Sequence, residues 1–215
     1  MMEDLSNYRQ NYSKHKLLEE NTPNNPFELF KDWFEDSNKN SKEKEINTMI
    51  LSTIGIDGYP KGRVVLLKYF SEKGFIFFTN YRSEKGKSID HNNKVSLTFF
   101  WEDLERQIII KGNAEKTDDD FNKEYFNLRP KGSKISAHVS NEQSSIIPNR
   151  EILENRYKEL SSKLKDDEIE KPEYWGGYIV MPTEYEFWQG RENRLHDRIS
   201  YSLENSKWHK KRLSP

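Results

Sequence analysis

The sequence predicts a mainly β protein with inserted helices, organised as an antiparallel barrel. Two features carry this. Short runs rich in Val, Ile, Phe and Thr recur from Ile46 onward and are joined by hairpin signals such as Asp57-Gly58. Helical patterns precede those strands or fall between them as late insertions, the order of a barrel decorated by helices. No internal repeat and no linker interrupts the chain, and its 215 residues suit one substantial domain better than two.

Residues 1–25 are polar, rich in Asn and Lys, and are expected to form a mobile segment ahead of a single domain over 26–215. Asn25-Pro26 reads as a helix cap followed by proline in the first turn. Phe27, Leu29, Phe30, Trp33 and Phe34 then give a helical apolar face to about Asp36. Residues 37–45 read as a charged connector. Strands are expected over 48–56, 62–70 and 75–79, with a turn at 71–74, and a short helix over 83–91. The next antiparallel pair is 95–101 and 107–116. An acidic first turn marks a helix over 118–128, and 150–164 reads as a longer one with Ile152, Leu153, Tyr157 and Leu160 on its face. The remaining strands are 177–181, 184–189, 199–204 and 207–213.

Composition narrows the function. Lys plus Arg number 35 against 36 acidic residues, a net charge of −1 that gives no global pull toward nucleic acid or anionic membrane. Hydrophobic and charged residues are each 33%, so the 12 Phe, 11 Tyr and 5 Trp must supply much of the buried area, and an oligomer sharing a core would fit. With no cysteine, disulfides, thiolate metal sites and cysteine nucleophiles are excluded, and no metal site is expected. The polar first sixteen residues lack the apolar core of a secretory signal and no apolar stretch is long enough to span a bilayer, so a cytoplasmic protein is expected. There is no P-loop and no GxGxxG, so any phosphate must be held by side chains on strands and loops.

The densest chemistry lies at 187–198, where Arg191, Arg194, Arg198 and His196 gather around Phe187, Trp188 and Gly190. Guanidinium groups suit phosphates and electron-rich rings, and a histidine can exchange a proton near neutral pH. Written WQGRENRLHDR, this run resembles the C-terminal signature of the pyridoxamine 5'-phosphate oxidase family. Further matches follow in order at Arg63-Val64-Val65-Leu66-Leu67-Lys68, Phe78-Thr79-Asn80, Leu104-Glu105-Arg106-Gln107, Gln143-Ser144-Ser145 and Trp175-Gly176-Gly177, so the resemblance covers nearly the whole chain.

The resemblance implies an FMN-binding split antiparallel β-barrel and a homodimeric oxidase that turns pyridoxamine and pyridoxine 5'-phosphates into pyridoxal 5'-phosphate with O2. It implies Arg63, Lys85, Gln107, Gln143 and Ser144 at the flavin phosphate. Val64, Val65, Leu66, Leu67, Lys68, Phe78 and Thr79 would line the flavin, with Trp188 and Arg198 reaching it from a second subunit. For the substrate it implies Lys68, Tyr125, Arg129 and Ser133 at the phosphate, and Arg194, Leu195 and His196 over the ring, with Arg194 and His196 as the catalytic pair. Arg9 and Tyr12 match a segment that closes over bound substrate. Two positions depart from the pattern: Glu84 stands where arginine is frequent, and Phe78 where tyrosine is. Arg63 and Lys68 are five apart, so on an ideal strand they point to opposite faces, and a bulge or strong twist is expected between them. Arg194 and His196 would share a face if their segment is extended.

Two other functions compete. A split-barrel flavoprotein with another substrate would not need Lys68, Tyr125, Arg129, Ser133, Arg194 and His196 together. A non-catalytic pyridoxal phosphate carrier would not need Arg63, Lys85, Gln107 and Ser144.

Overall fold

The computed structural model describes residues 2–8, 10–165 and 169–215. Along them run α1 (Pro26–Asn40), β1 (Thr48–Ile54), β2 (Pro60–Leu66), β3 (Tyr69–Ser71), β4 (Gly74–Asn80), α2 (Glu84–His91) and β5 (Lys94–Trp101). Then come β6 (Arg106–Lys116), α3 (Asp119–Asn127), α4 (Lys131–Val139), α5 (Glu151–Lys163), β7 (Trp175–Gln189), β8 (Asp197–Glu204) and β9 (Lys207–Leu213). The strands pair in the order β2-β1-β5-β6-β7-β4-β3, with β8 against β7 and β9 against β8. This is the mainly β, open antiparallel architecture expected from the sequence. No helix of the described residues is long and apolar enough to cross a membrane.

The chain divides into two compact units. The first comprises Met1–Ile50, Ser96–Lys111 and Pro182–Pro215, the second Leu51–Val95 and Gly112–Met181. In the first, α1 begins where expected, the Asn25 side chain accepting from Phe27 N at 3.0 Å with Pro26 in the first turn. It buries Leu29, Phe30 and Trp33, and Trp33 meets Phe187 edge-on at 5.3 Å. The helix continues to Asn40 instead of giving way to a connector at Ser37. Ser37 is buried and its hydroxyl donates to Trp33 O at 2.8 Å, so its polar group is satisfied inside the helix.

In the second unit, Phe126, Ile135, Ala137, Val139, Ile169 and Trp175 form a core cluster. Half of it comes from α4, which sequence patterning leaves out. Gly132, Ser133, Ser136 and His138 are weak helix formers, so this nine-residue helix depends on packing Ile135, Ala137 and Val139. The strand expected over 62–70 is broken: β2 ends at Leu66, β3 begins at Tyr69, and Lys68 N donates to Ile76 O at 2.8 Å. Where a bulge or strong twist is expected between Arg63 and Lys68, the strand is interrupted at Leu67-Lys68. The strands expected over 177–181 and 184–189 are one strand, β7. Pro182 does not end it, because proline's φ is compatible with extended backbone, and the alternation of burial resumes past it shifted by one residue, from Val180 and Pro182 to Tyr185 and Phe187.

Helix α2 sits tightly on the turn before it. The Ser83 side chain caps Gly86 N at 3.3 Å, and a Cβ on Gly86 would lie 2.1 Å from Tyr81 O. Gly86→Ala is therefore expected to displace α2 and cost about 1–3 kcal/mol, the usual range for overpacking. Chemical denaturation checks this; an unchanged midpoint would contradict the close approach.

Candidate active site

In the second unit a cavity of about 550 Å³ opens beside β2 and β4. Val64, Val65 and Leu66 of β2, then Lys68, give one wall, and Phe78 and Thr79 of β4 another. Lys85 enters from α2, Tyr125 from α3, Ser133 from α4, and Arg129 and Gln143 from the segments after α3 and α4. Most residues named for the flavin and for the substrate phosphate thus line one space of ligand size.

Its aromatic floor comes from three elements. Phe78 stacks on Tyr125 with centroids 3.9 Å apart and rings 14° from parallel, and on Trp175 at 5.3 Å and 10°. Phe78 fills this stack as an apolar plate, which a hydroxyl would not improve. Arg129 lies over Trp175 with its guanidinium carbon 4.6 Å from the ring centre, a cation–π placement that fixes the fork.

The cations are undercompensated. Arg63 Nη1 donates to Leu51 O at 3.0 Å and to Thr53 Oγ1 at 2.8 Å, while its Nη2 is buried without a partner. Arg129 Nη1 and Gln143 Oε1 are buried and unpaired as well. Lys85 Nζ has neutral partners, Thr79 Oγ1 at 3.3 Å and Ser83 Oγ at 3.5 Å. Burial lowers the Lys85 pKa, and neighbouring Arg63 lowers it further. Burial likewise lowers Arg63 and Arg129 and raises Tyr125. Glu84 offers partial relief from a distance, but its carboxylate is held by Lys61 at 2.7 Å on the surface. A buried donor without an acceptor costs roughly 1–3 kcal/mol, and an anion that accepts from it recovers that loss. The arrangement suits phosphate.

In the first unit a smaller pocket, about 310 Å³, is lined by Tyr8, Gln10, Asn11, Tyr12, Arg191, Asn193, Arg194 and His196. The segment at Arg194 is not extended: Glu192–Arg194 is a 3₁₀ turn, and Asn193 and Arg194 have φ of 57° and 61°. Arg194 and His196 therefore meet this pocket through a left-handed turn and not through strand alternation, while Leu195 is exposed. Asn193 is a residue type that tolerates the left-handed region, but Arg194 carries no such sign, so the spacing alone misleads. Tyr12 packs against Trp188 at 5.8 Å and His196 at 5.9 Å, and Trp188 lies 4.7 Å from His196. A Cβ on Gly190 would fall 2.8 Å from Tyr12, so glycine makes room for that ring. Burial lowers the His196 pKa, and Arg194 adds to the effect.

The other expected residues fall elsewhere. Trp188 and Arg198 are register partners across β7 and β8, and Arg198 pairs with Glu186 at 2.9 Å. Gln107 is half-buried in β6 and Leu67 is buried. Ser144 has a φ of 75° and lines a surface pocket with Arg82 and Glu84. Arg9 lies outside the described residues. Asn80 and Trp175 also line the cavity; both sit in the quoted matches, which were the available signal.

Residues 39–163 match the family described as pyridoxamine 5'-phosphate oxidase. The chain belongs to that family. Residues 175–215 match the pyridoxine 5'-phosphate oxidase C-terminal dimerisation region. A pyridoxine/pyridoxamine 5'-phosphate oxidase of Flavobacterium johnsoniae is 53% identical over 214 residues, 99% of this chain and 100% of its own. One of Flavobacterium psychrophilum is 53% identical over 215 residues, 100% of both chains. Among solved structures, PhzG from Burkholderia lata 383 in complex with tetrahydrophenazine-1-carboxylic acid is similar with a TM-score of 0.85 at 25% identity, over 94% of this chain and 100% of that one. A pyridoxamine 5'-phosphate oxidase-related, FMN binding protein from Nostoc punctiforme shares the fold with a TM-score of 0.69 at 14% identity, over 86% of this chain and 96% of that one.

Arg63→Ala is expected to raise the Lys85 pKa toward its ordinary value, since one neighbouring cation is removed while burial persists. NMR titration of the labelled lysine in the ligand-free protein checks this. An unchanged or lower value would mean the two groups are not coupled.

Proposed function

We propose that this chain is an FMN-dependent oxidase that converts pyridoxamine 5'-phosphate and pyridoxine 5'-phosphate to pyridoxal 5'-phosphate. The observation that carries the reading is the pair of buried guanidinium nitrogens without an acceptor, Arg63 Nη2 beside the cavity residue Lys85 and Arg129 Nη1 on the cavity wall itself. Two phosphates, one of cofactor and one of substrate, match two such groups. Bound FMN would supply the two-electron redox chemistry at the substrate C4' carbon, with O2 as final acceptor and hydrogen peroxide as its product.

The protein's own residues bind and orient. Arg63 and Lys85, with Gln143, Ser144 and Gln107, hold the flavin phosphate, and Val64 to Lys68, Phe78 and Thr79 line the ring. Lys68, Tyr125, Arg129 and Ser133 hold the substrate phosphate. Arg194 and His196 hold the pyridine ring and stabilise charge on its phenolic oxygen. Trp188 and Arg198 reach the flavin from the second subunit of a homodimer, a reading supported by the match to a dimerisation region. Residues 1–25 precede a single catalytic domain over 26–215, and Arg9 and Tyr12 close over the substrate, supported by Tyr12 packing on Trp188 and His196.

The deciding experiment is anaerobic addition of pyridoxine 5'-phosphate to the purified flavoprotein. Bleaching of the flavin absorbance is expected, and restoration on admitting air. A spectrum that does not change would overturn the proposal in favour of a flavoprotein with another substrate.

Arg129→Leu separates the two phosphate sites. A charged contact of roughly 1.5–3 kcal/mol corresponds to about 10- to 150-fold in kcat/KM. Most of it is expected in KM, because the contact is remote from the reacting carbon and similar in ground and transition states. FMN content is expected to stay at the wild-type level. A wild-type KM would place the substrate phosphate elsewhere.

A further inference from the structure

The environment of His196 fixes which of its ring nitrogens can carry a proton. Arg191 N donates to His196 Nδ1 at 3.1 Å. A backbone N–H is only a donor, so Nδ1 must present its lone pair, and the proton of the neutral ring resides on Nε2. Nε2 then offers one N–H and no lone pair, while Nδ1 is already engaged.

Arg191 is itself held. Its Nη1 donates to Asp197 Oδ2 at 2.7 Å, and the same oxygen accepts from Leu17 N at 3.1 Å. Asp197 Oδ1 accepts from Arg212 Nη1 at 3.0 Å, and Arg212 Nη2 donates to Leu17 O at 2.7 Å. Burial pushes the Asp197 carboxyl up, but the hydrogen bonds from Leu17, Arg191 and Arg212 outweigh it and hold the pKa below the ordinary value. An ionised Asp197 therefore ties together the segment before α1, the left-handed turn at Asn193 and Arg194, and β9. Glu19 extends the tie by pairing with Arg212.

We propose that Arg191 is a positioning residue whose backbone N–H holds His196 as the Nε2–H tautomer, so that His196 meets the substrate as a hydrogen-bond donor and not as a base. The proposal rests on the reading that this loop faces the substrate, and it assigns the ligand group as well: an oxygen acceptor, best an oxyanion, as on a 3-hydroxypyridine. Protonating Nδ1 would break the bond to Arg191 and place an imidazolium among Arg191 and Arg194, with Asp197 already engaged by three donors. The other groups packed on the ring are the aromatic rings of Trp188 and Tyr12. Both the tether and the neighbouring charges thus favour the neutral donor.

The test is nitrogen NMR on protein labelled with 15N-histidine, recorded without substrate near neutral pH. His196 is expected as the neutral Nε2–H form. An Nδ1–H form or an imidazolium would overturn the proposal, even in an active oxidase. Arg191→Ala leaves the N–H but frees the loop; it is expected to mix the tautomers and lower kcat about tenfold, with KM less affected. Arg191→Lys, which keeps a cation for Asp197, is expected to restore much of both. An Arg191→Ala protein with wild-type tautomer and kcat would overturn the positioning role. If the expected tautomer is found but pyridoxine 5'-phosphate fails to bleach the flavin, it is the proposed substrate that falls, not the tether.

Discussion

Lys85 and Arg129 line one cavity and Arg63 neighbours Lys85, and among the described residues none of the three has a carboxylate within ion-pair distance. Taking charge out of water without a counter-charge is costly, and the cost appears here as pKa values lowered by burial and polar atoms left unpaired. The second unit is arranged around that imbalance. Each cation is held by neutral partners: Arg63 by Leu51 O and Thr53, Lys85 by Thr79 and the capping Ser83, and Arg129 by the Trp175 ring that stacks with Phe78. An anionic ligand completes the arrangement.

The first unit handles charge in the opposite way. Arg106 donates to Asp36 and Gln189 and lies 4.7 Å over Trp33; Arg191 and Arg212 are neutralised by Asp197 and Glu19. These arginines are structural ties. The sequence run around Gly190 therefore mixes guanidinium groups of two kinds, braces such as Arg191 and a cation exposed to a pocket in Arg194.

Much of this was legible before the structure. Asn25-Pro26, Asp57-Gly58 and the acidic turn at Asp118 carry local chemistry strong enough to set an element by themselves, and each marks a boundary in the structure. The elements missed depend on partners. Helix α4 has poor intrinsic propensity and forms because its apolar residues meet Phe126 and Trp175. The turn at Asn193 and Arg194 is held by contacts of neighbouring residues, Asp197 with Leu17 among them, 180 positions apart. Of the site, the cavity's residue types were readable from ordered motifs, whereas the tether on His196 was not, because a backbone N–H leaves no trace in a sequence.

The uncompensated cations are the basis of the phosphate site proposed above for a flavin. Titrating the FMN-free protein with FMN and with riboflavin, which lacks the phosphate, tests it most directly. A charged contact of roughly 1.5–3 kcal/mol implies FMN binding at least tenfold tighter in the wild type, with the gap largely closed in Arg63→Ala. Equal affinity for the two flavins in the wild type would contradict the account.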